Sequence, residues 1–164
     1  MEFYTAYHSP IGILTLTSHQ GKLTGIWYEG SKFMPKNLTR QDDLPVFNSV
    51  RTWLDDYFAG KKPEAAGLPL SPSGSEFQKL VWSMLLQIPY REFTTYGALA
   101  KEAALTLGKE RMSAQAIGNA VGRNPISIII PCHRVLGIEG TLTGYAGGLD
   151  RKRFLLDLEN IQFI

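Results

Sequence analysis

Asn124-Pro125-Ile126-Ser127-Ile128-Ile129-Ile130-Pro131-Cys132-His133-Arg134-Val135 is the stretch around which the rest of the chain can be ordered. The apolar, β-branched run Ile126–Ile130 predicts a short buried strand. Pro131 cannot donate to a sheet ladder and ends it, so the strand would deliver Cys132 to the mouth of a pocket. Cys132 is the only cysteine among 164 residues. It has no disulfide partner and no resolving thiol, and it cannot build a multi-cysteine zinc site. A group that reacts with its sulfur stays there unless an outside agent removes it. The plainer alternative is a small buried core residue, the commoner fate of a lone cysteine.

Neighbouring side chains in extended backbone point to opposite faces, so a direct Cys132–His133 ion pair is not expected. A relay from Cys132 through a water to His133, with an acid orienting the imidazole, follows the general nucleophile-base-orienter logic. Of the three histidines, His8 and His19 fall among strands and turns. Glu159 on the last predicted helix is the candidate orienter; the alternative is an ordinary solvated helix acid.

Downstream, Gly137 to Gly148 is a glycine-rich loop, and a helix from Leu149 to about Asn160 carries Lys152, Leu155, Leu156 and Leu158. Upstream, Ser75-Glu76-Phe77-Gln78 is a capping-box pattern opening a helix that ends before Pro89. Thr94 or Thr95 N-caps a short helix through Ala98-Leu99-Ala100, and a connection through Gly108 leads to a second short helix from Ser113 to Val121. Two short helices so joined fit a helix-turn-helix. Ala114, Ala116, Gly118 and Ala120 make the second one small-residued, which lets its backbone approach another surface closely. Tight packing on a neighbouring helix is the competing explanation.

The first forty residues alternate aromatic or β-branched residues with polar ones and predict an antiparallel meander: Phe3–Tyr7, Ile13–Thr17 and Leu23–Tyr28, with turns at Ser9-Pro10 and His19-Gln20-Gly21. Val46, Val50, Trp53, Leu54, Tyr57 and Phe58 recur at helical spacing up to Gly60, and Lys61–Gly74 reads as a linker. Apolar content of 44% with 20% charge is ordinary for a globular chain with a packed core. No window approaches a membrane span, and the N-terminus has neither the basic start nor the apolar run of a signal peptide. With no disulfide available, a cytoplasmic location is expected. Net charge is +2; residues 1–71 hold seven basic and seven acidic side chains, so residues 72–164 carry the whole excess. That permits a nucleic-acid partner without requiring one.

Pro-Cys-His-Arg-Val, preceded by Asn124-Pro125 and an apolar run and followed by Gly144-Tyr145-Ala146-Gly147-Gly148, resembles the O6-alkylguanine-DNA alkyltransferases. Thr95-Tyr96, Asn124, the cysteine pentapeptide and the Tyr-Ala-Gly-Gly loop occur in that family's order over the second half of the chain. The resemblance implies an α+β fold. Residues 1–71 would form a small ribonuclease-H-like sheet-plus-helix domain with its linker. Residues 72–164 would form a mostly helical, winged-helix-like DNA-binding domain with the helix-turn-helix. It implies that Cys132 accepts an alkyl group once, with His133 and Glu159 as relay, Asn124 supporting the turn that presents the thiol, and Tyr96 donating to a flipped base. Val135, Tyr145, Ala146, Gly147 and Lys152 would line the substrate site, with the carbonyls of Cys132 and Val135 accepting from the exocyclic amine and Lys152 near the leaving group. Arg134 looks structural rather than chemical. Thr95, Arg111, Ser113, Ala114, Gln115, Gly118 and Arg123 would meet double-stranded DNA through the minor groove, as a monomer. Gln115 stands where many members have an arginine that fills the gap left by the flipped base; a glutamine amide can still hydrogen-bond there, and Arg111 is a second candidate. No cofactor and no metal are expected, because the cysteines of the zinc site found in some relatives are absent.

Three other functions fit parts of the chain less well. A non-reacting module that only recognises alkylated DNA would lack the cysteine. A thiol sensor would need a second cysteine or an effector segment. A cysteine hydrolase is disfavoured by the adjacency of Cys132 and His133.

Overall fold

The computed structural model describes every residue from Met1 to Ile164 and has an α+β architecture. Phe3–Ser9 (β1), Gly12–His19 (β2) and Lys22–Trp27 (β3) pair antiparallel in chain order, as their alternation predicts. Gln20 and Gly21 both take positive φ, 51° and 75°. Such a two-residue hairpin turn matches the twist of the flanking strands. A two-residue strand, Thr39–Arg40 (β4), adds parallel to β1 and gives the order β3-β2-β1-β4; nothing in its composition marks so short a pairing. Pro45–Phe58 (α1) starts with proline at its first turn, where no amide is needed, and buries Val46, Phe47, Val50, Trp53, Leu54 and Tyr57.

β3 is an edge strand, and its free backbone groups explain two departures from the expectations. Lys61–Gly74 is not a free linker: Leu23 donates to Pro69 O at 2.7 Å and accepts from Ser71 N at 2.8 Å. The strand expected over Ile126–Ile130 does not form either. Ile126 makes one bridge with Ile26, and the chain then reverses. Ile128 has φ 75°, and Ile129 N–H donates to Ser127 O at 2.9 Å. Ile126, Ile128, Ile129 and Ile130 are all buried. Periodicity reports burial of such a run and cannot separate a strand from a buried turn.

Met1–Ser73 with Pro125–Ile129 forms one compact unit, and Gly74–Asn124 with Ile130–Ile164 forms the other. The second is mainly helical. Glu76–Leu85 (α2) carries the full capping box of Ser75 and Gln78. Thr94–Thr95 (β5) pairs parallel with Val135–Leu136 (β6). Tyr96–Leu107 (α3) is N-capped by Thr95 and ends at Gly108 in the left-handed region, φ 66°. Ala114–Gly122 (α4) is N-capped by Ser113, and Leu149–Leu158 (α5) closes the unit. Trp82 ties α2 to α4 by donating from Nε1 to Ala120 O at 2.8 Å. No helix is long and apolar enough to cross a membrane.

Candidate active site

Pro131 has φ −81° and ψ 64°, the values of an inverse γ-turn. Cys132 N–H closes that turn on Ile130 O at 2.8 Å, and the same carbonyl accepts from Asn124 Nδ2 at 2.8 Å. Asn124 therefore braces the bend just before the thiol. Cys132–Arg134 is a single 3-10 turn rather than extended chain. Its side chains are spaced by roughly a third of a turn, so the opposite-face rule does not apply to Cys132 and His133.

The two residues after the cysteine converge on one acid. His133 Nε2 lies 2.6 Å from Glu159 Oε2, and Arg134 Nε lies 2.7 Å from Glu159 Oε1. Arg91 N–H adds a bond to Oε1 at 3.2 Å. Arg134 also donates from Nη1 to Ile88 O at 2.7 Å and stacks over Tyr90 with 5.7 Å between guanidinium and ring centre. Glu159 is the C-cap of α5 and is fully buried, as is His133, so it is no solvated helix acid. Burial pushes its carboxyl up, but the hydrogen bonds from His133 and Arg134 and the Arg134 charge outweigh burial and hold it at about 2. Burial pushes His133 below its usual value, more than Glu159 raises it. A carboxylate facing a neutral imidazole requires the ring proton on Nε2, which leaves Nδ1 as the basic nitrogen.

Burial likewise pushes the Cys132 thiol up, while Asn124, the charge of Lys152, the turn's own backbone and the Tyr145 side chain pull it down. Thiol and neutral imidazole, not an ion pair, are thus the resting forms. A cavity of about 200 Å³ is lined by Tyr96, Gly118, Val121, Gly122, Cys132, Gly144, Tyr145 and Ala146. Burial raises the Tyr96 phenol, which keeps it protonated and able to donate.

Several expected site residues lie elsewhere. Lys152 is wholly buried, is not among the residues lining the cavity, and bonds to backbone carbonyls. Val135 O accepts from Lys152 at 2.7 Å, and Cys132 O accepts from Val135 N–H; each keeps a second lone pair. Gly147 does not line the cavity; its carbonyl accepts from Arg151. The hydroxyls of Thr95 and Ser113 serve as helix caps. Arg111 precedes α4 rather than standing on it, and Arg123 lines a separate groove between α2 and α4. The small residues Ala114, Ala116, Gly118 and Ala120 do not share a face, because steps of two positions alternate around a helix. Ala120 is buried and Ala116 half-buried, while Ala114, Gln115, Asn119 and Gly122 are exposed. Residues not anticipated are Val121, Gly122 and Gly144 in the cavity wall, and the binding of Arg134 to Glu159. The Gly118–Gly122 spacing of four, one face of a helix, was the legible signal for Gly122.

Two family models match the chain in order: the ribonuclease-like domain of 6-O-methylguanine DNA methyltransferase over residues 3–72 and the DNA binding domain of the same proteins over residues 76–161. A methylated-DNA–protein-cysteine methyltransferase of Haemophilus influenzae is 45% identical over 163 residues, covering 99% of this chain and 88% of that protein. One from Methanosarcina barkeri is 44% identical over 96% of each chain. The crystal structure of Mycobacterium tuberculosis O6-methylguanine methyltransferase superposes with a TM-score of 0.83 at 42% identity, covering 97% of this chain and 93% of that one. The same organism's protein in complex with DNA gives 0.84 at 41% identity, over 96% and 92%. With both domain models matched and such identities sustained over nearly the whole length, this chain belongs to the 6-O-methylguanine DNA methyltransferase family.

Proposed function

We propose that this chain repairs alkylated DNA by moving the alkyl group of O6-alkylguanine, and of O4-alkylthymine, onto Cys132 Sγ, once per molecule. The observation that carries this is the lone cysteine, lining a small cavity and backed by the buried His133–Glu159–Arg134 cluster. The sulfur attacks the saturated carbon on O6; the S–C bond forms as the C–O bond breaks, and the electron pair stays with the base. The thiol proton passes through a water to Nδ1 of His133, whose imidazolium Glu159 stabilises. Tyr96 donates to the departing base. One proton leaves the sulfur and the restored guanine takes one up, so the proton count balances. The product is a thioether that nothing in the chain can cleave.

The target atom lies inside a duplex, so the nucleotide must be extruded, at a cost of a few kcal/mol. α4 entering the minor groove of double-stranded DNA is the reading that its surface supports. A Cβ at Gly122 would meet no atom within 4 Å, and one at Gly118 would only touch Tyr96 at 3.9 Å. The chain's own packing therefore does not demand glycine at either position, whereas a narrow groove rejects bulk. Residues 72–164 would hold all of this chemistry, acting as a monomer, and a free thiol suits a reducing cytoplasm.

Intact mass with peptide mapping, after mixing with excess duplex carrying one O6-methylguanine, tests the proposal. One methyl on Cys132, reached once and never exceeded, is the expected result. Tight lesion binding without a mass change would place the chain with non-reacting recognition modules, and repeated turnover with a free thiol would overturn the mechanism.

Gln115, exposed on α4, is the side chain we assign to the gap left by the flipped base. Gln115→Ala should slow transfer from duplex about tenfold, the worth of roughly one net hydrogen bond, and leave transfer from the free base unchanged. Equal rates on duplex would remove Gln115 from that role and leave Arg111 as the candidate.

A further inference from the structure

Lys152 is fully buried, yet its recorded bonds are not to an acid. Its ammonium donates to Val135 O at 2.7 Å, Thr143 O at 2.5 Å and Gly144 O at 3.0 Å. An ammonium has three N–H bonds, so every donor is committed to backbone. The three carbonyls come from two segments that each supply residues to the cavity lining. Val135 follows the turn that carries Cys132, while Thr143 and Gly144 begin the loop that brings Tyr145 and Ala146 to the cavity.

That loop has other ties as well: Arg151 Nη1 donates to Gly147 O at 3.3 Å, and the Tyr145 side chain hydrogen-bonds Cys132. Leu142 N–H donates to Ile164 O and Gly148 N–H to Tyr145 O, and between them the glycines at 144 and 147 leave the backbone soft. Burying a cation without a counter-charge is costly unless its hydrogen bonds are all made. Lys152 stands at i, with Leu155, Leu156 and Glu159 at i+3, i+4 and i+7, so one face of α5 presents the ammonium at one end and the carboxylate at the other.

We propose that Lys152 is a staple: it holds the Thr143–Ala146 wall in register with the Cys132 turn and does not itself touch the substrate. It is a positioning residue for the transfer proposed above, and that part of its role rests on that proposal. The titratable groups around it are Cys132 and His133 on the turn, Tyr145 in the loop, and Arg151 and Arg153 beside it on α5, while Glu159 is committed to His133 and Arg134. Burial holds the ammonium at about 8, with a Cys132 thiolate acting to raise it. The staple is therefore mostly charged at neutral pH and loses one donor above that value.

The test combines limited chymotrypsin cleavage after Tyr145 with methyl-transfer rates. Lys152→Met should speed that cleavage about tenfold by freeing the loop. It should slow transfer from both duplex and free O6-methylguanine about 100-fold, the cost of a misplacement of about 1 Å in a reactive site. Duplex affinity, carried by α4, should not change. A slowed transfer with cleavage after Tyr145 unchanged would make Lys152 a group that acts on the substrate and overturn the staple, as would an unchanged rate. If the variant is cleaved throughout because it does not fold, the unmodified chain decides. Its cleavage after Tyr145, relative to an unstructured peptide of the same sequence, should rise between pH 7 and 9, roughly the span over which a group near 8 titrates. A flat ratio overturns the staple. Because cleavage is read without any transfer, a chain that moves no methyl would defeat the proposed function and leave the loop result to judge Lys152.

Discussion

Cys132→Ser is expected to bind duplex carrying O6-methylguanine as tightly as the parent chain and to remove none of the methyl. A serine hydroxyl is neither polarisable nor appreciably ionised at neutral pH, and the neutral His133 has too little driving force to change that. The loss should be on the order of 10⁶-fold, the scale seen when a nucleophile is removed from a covalent enzyme. Stability should change little, because Asn124 and Tyr145 can hydrogen-bond an oxygen where they now meet the sulfur. Fluorescence anisotropy reads the binding and intact mass reads the transfer. Methyl transfer by the serine chain would mean that another atom accepts the group. Failure to bind would mean that the cysteine is structural.

Glu159→Gln should combine the largest loss of stability with a loss of rate. Removing one partner of a buried ion pair costs about 3–5 kcal/mol, because the other charge is left uncompensated; here that charge is Arg134, with the new amide facing its Nε. The sign with pH follows from the carboxyl lying near 2 when folded against its ordinary 4.5. Its stabilisation is fully present above about pH 4.5 and is lost as pH falls toward 2. At about 1.4 kcal/mol per tenfold change in proton affinity, it amounts to about 3 kcal/mol. The parent chain should therefore lose urea resistance between pH 5 and pH 2 with a component that the glutamine chain lacks. Parallel curves would show that Glu159 is not the buried anion described here. The transfer rate, measured where both chains are folded, should fall about 10²- to 10⁴-fold through loss of the oriented base. An unchanged rate would take Glu159 out of the relay and leave it a structural anchor for Arg134.

Local rules carried much of the fold. The meander of β1 to β3, the amphipathic α1 and the caps at Ser75, Thr95 and Ser113 each depend on residues within a few positions of one another. The run Ile126–Ile130 shows where such rules stop. Its apolarity announced burial correctly. Whether it became a strand was decided by β3, an edge a hundred residues away in the chain, which bonds only Pro125 O and Ser127 N–H before the backbone turns.

The site divides in the same way. The cysteine pentapeptide, the glycine loop and the late acid were legible as candidates because chemistry limits which residue types can serve in the proposed transfer. The partners of Arg134 and Lys152 were not legible, because residue type alone does not name the distant groups a side chain meets. Sequence by itself thus determined the family, the candidate nucleophile and the order of the helices, all of which reside in residue identity and short-range spacing. Only the tertiary structure decided that Arg134 grips Glu159, that Lys152 is spent on three carbonyls, and that Cys132 sits in a helical turn. A buried charge takes its role from whichever distant atoms desolvation forces it to meet, and no local pattern records those atoms.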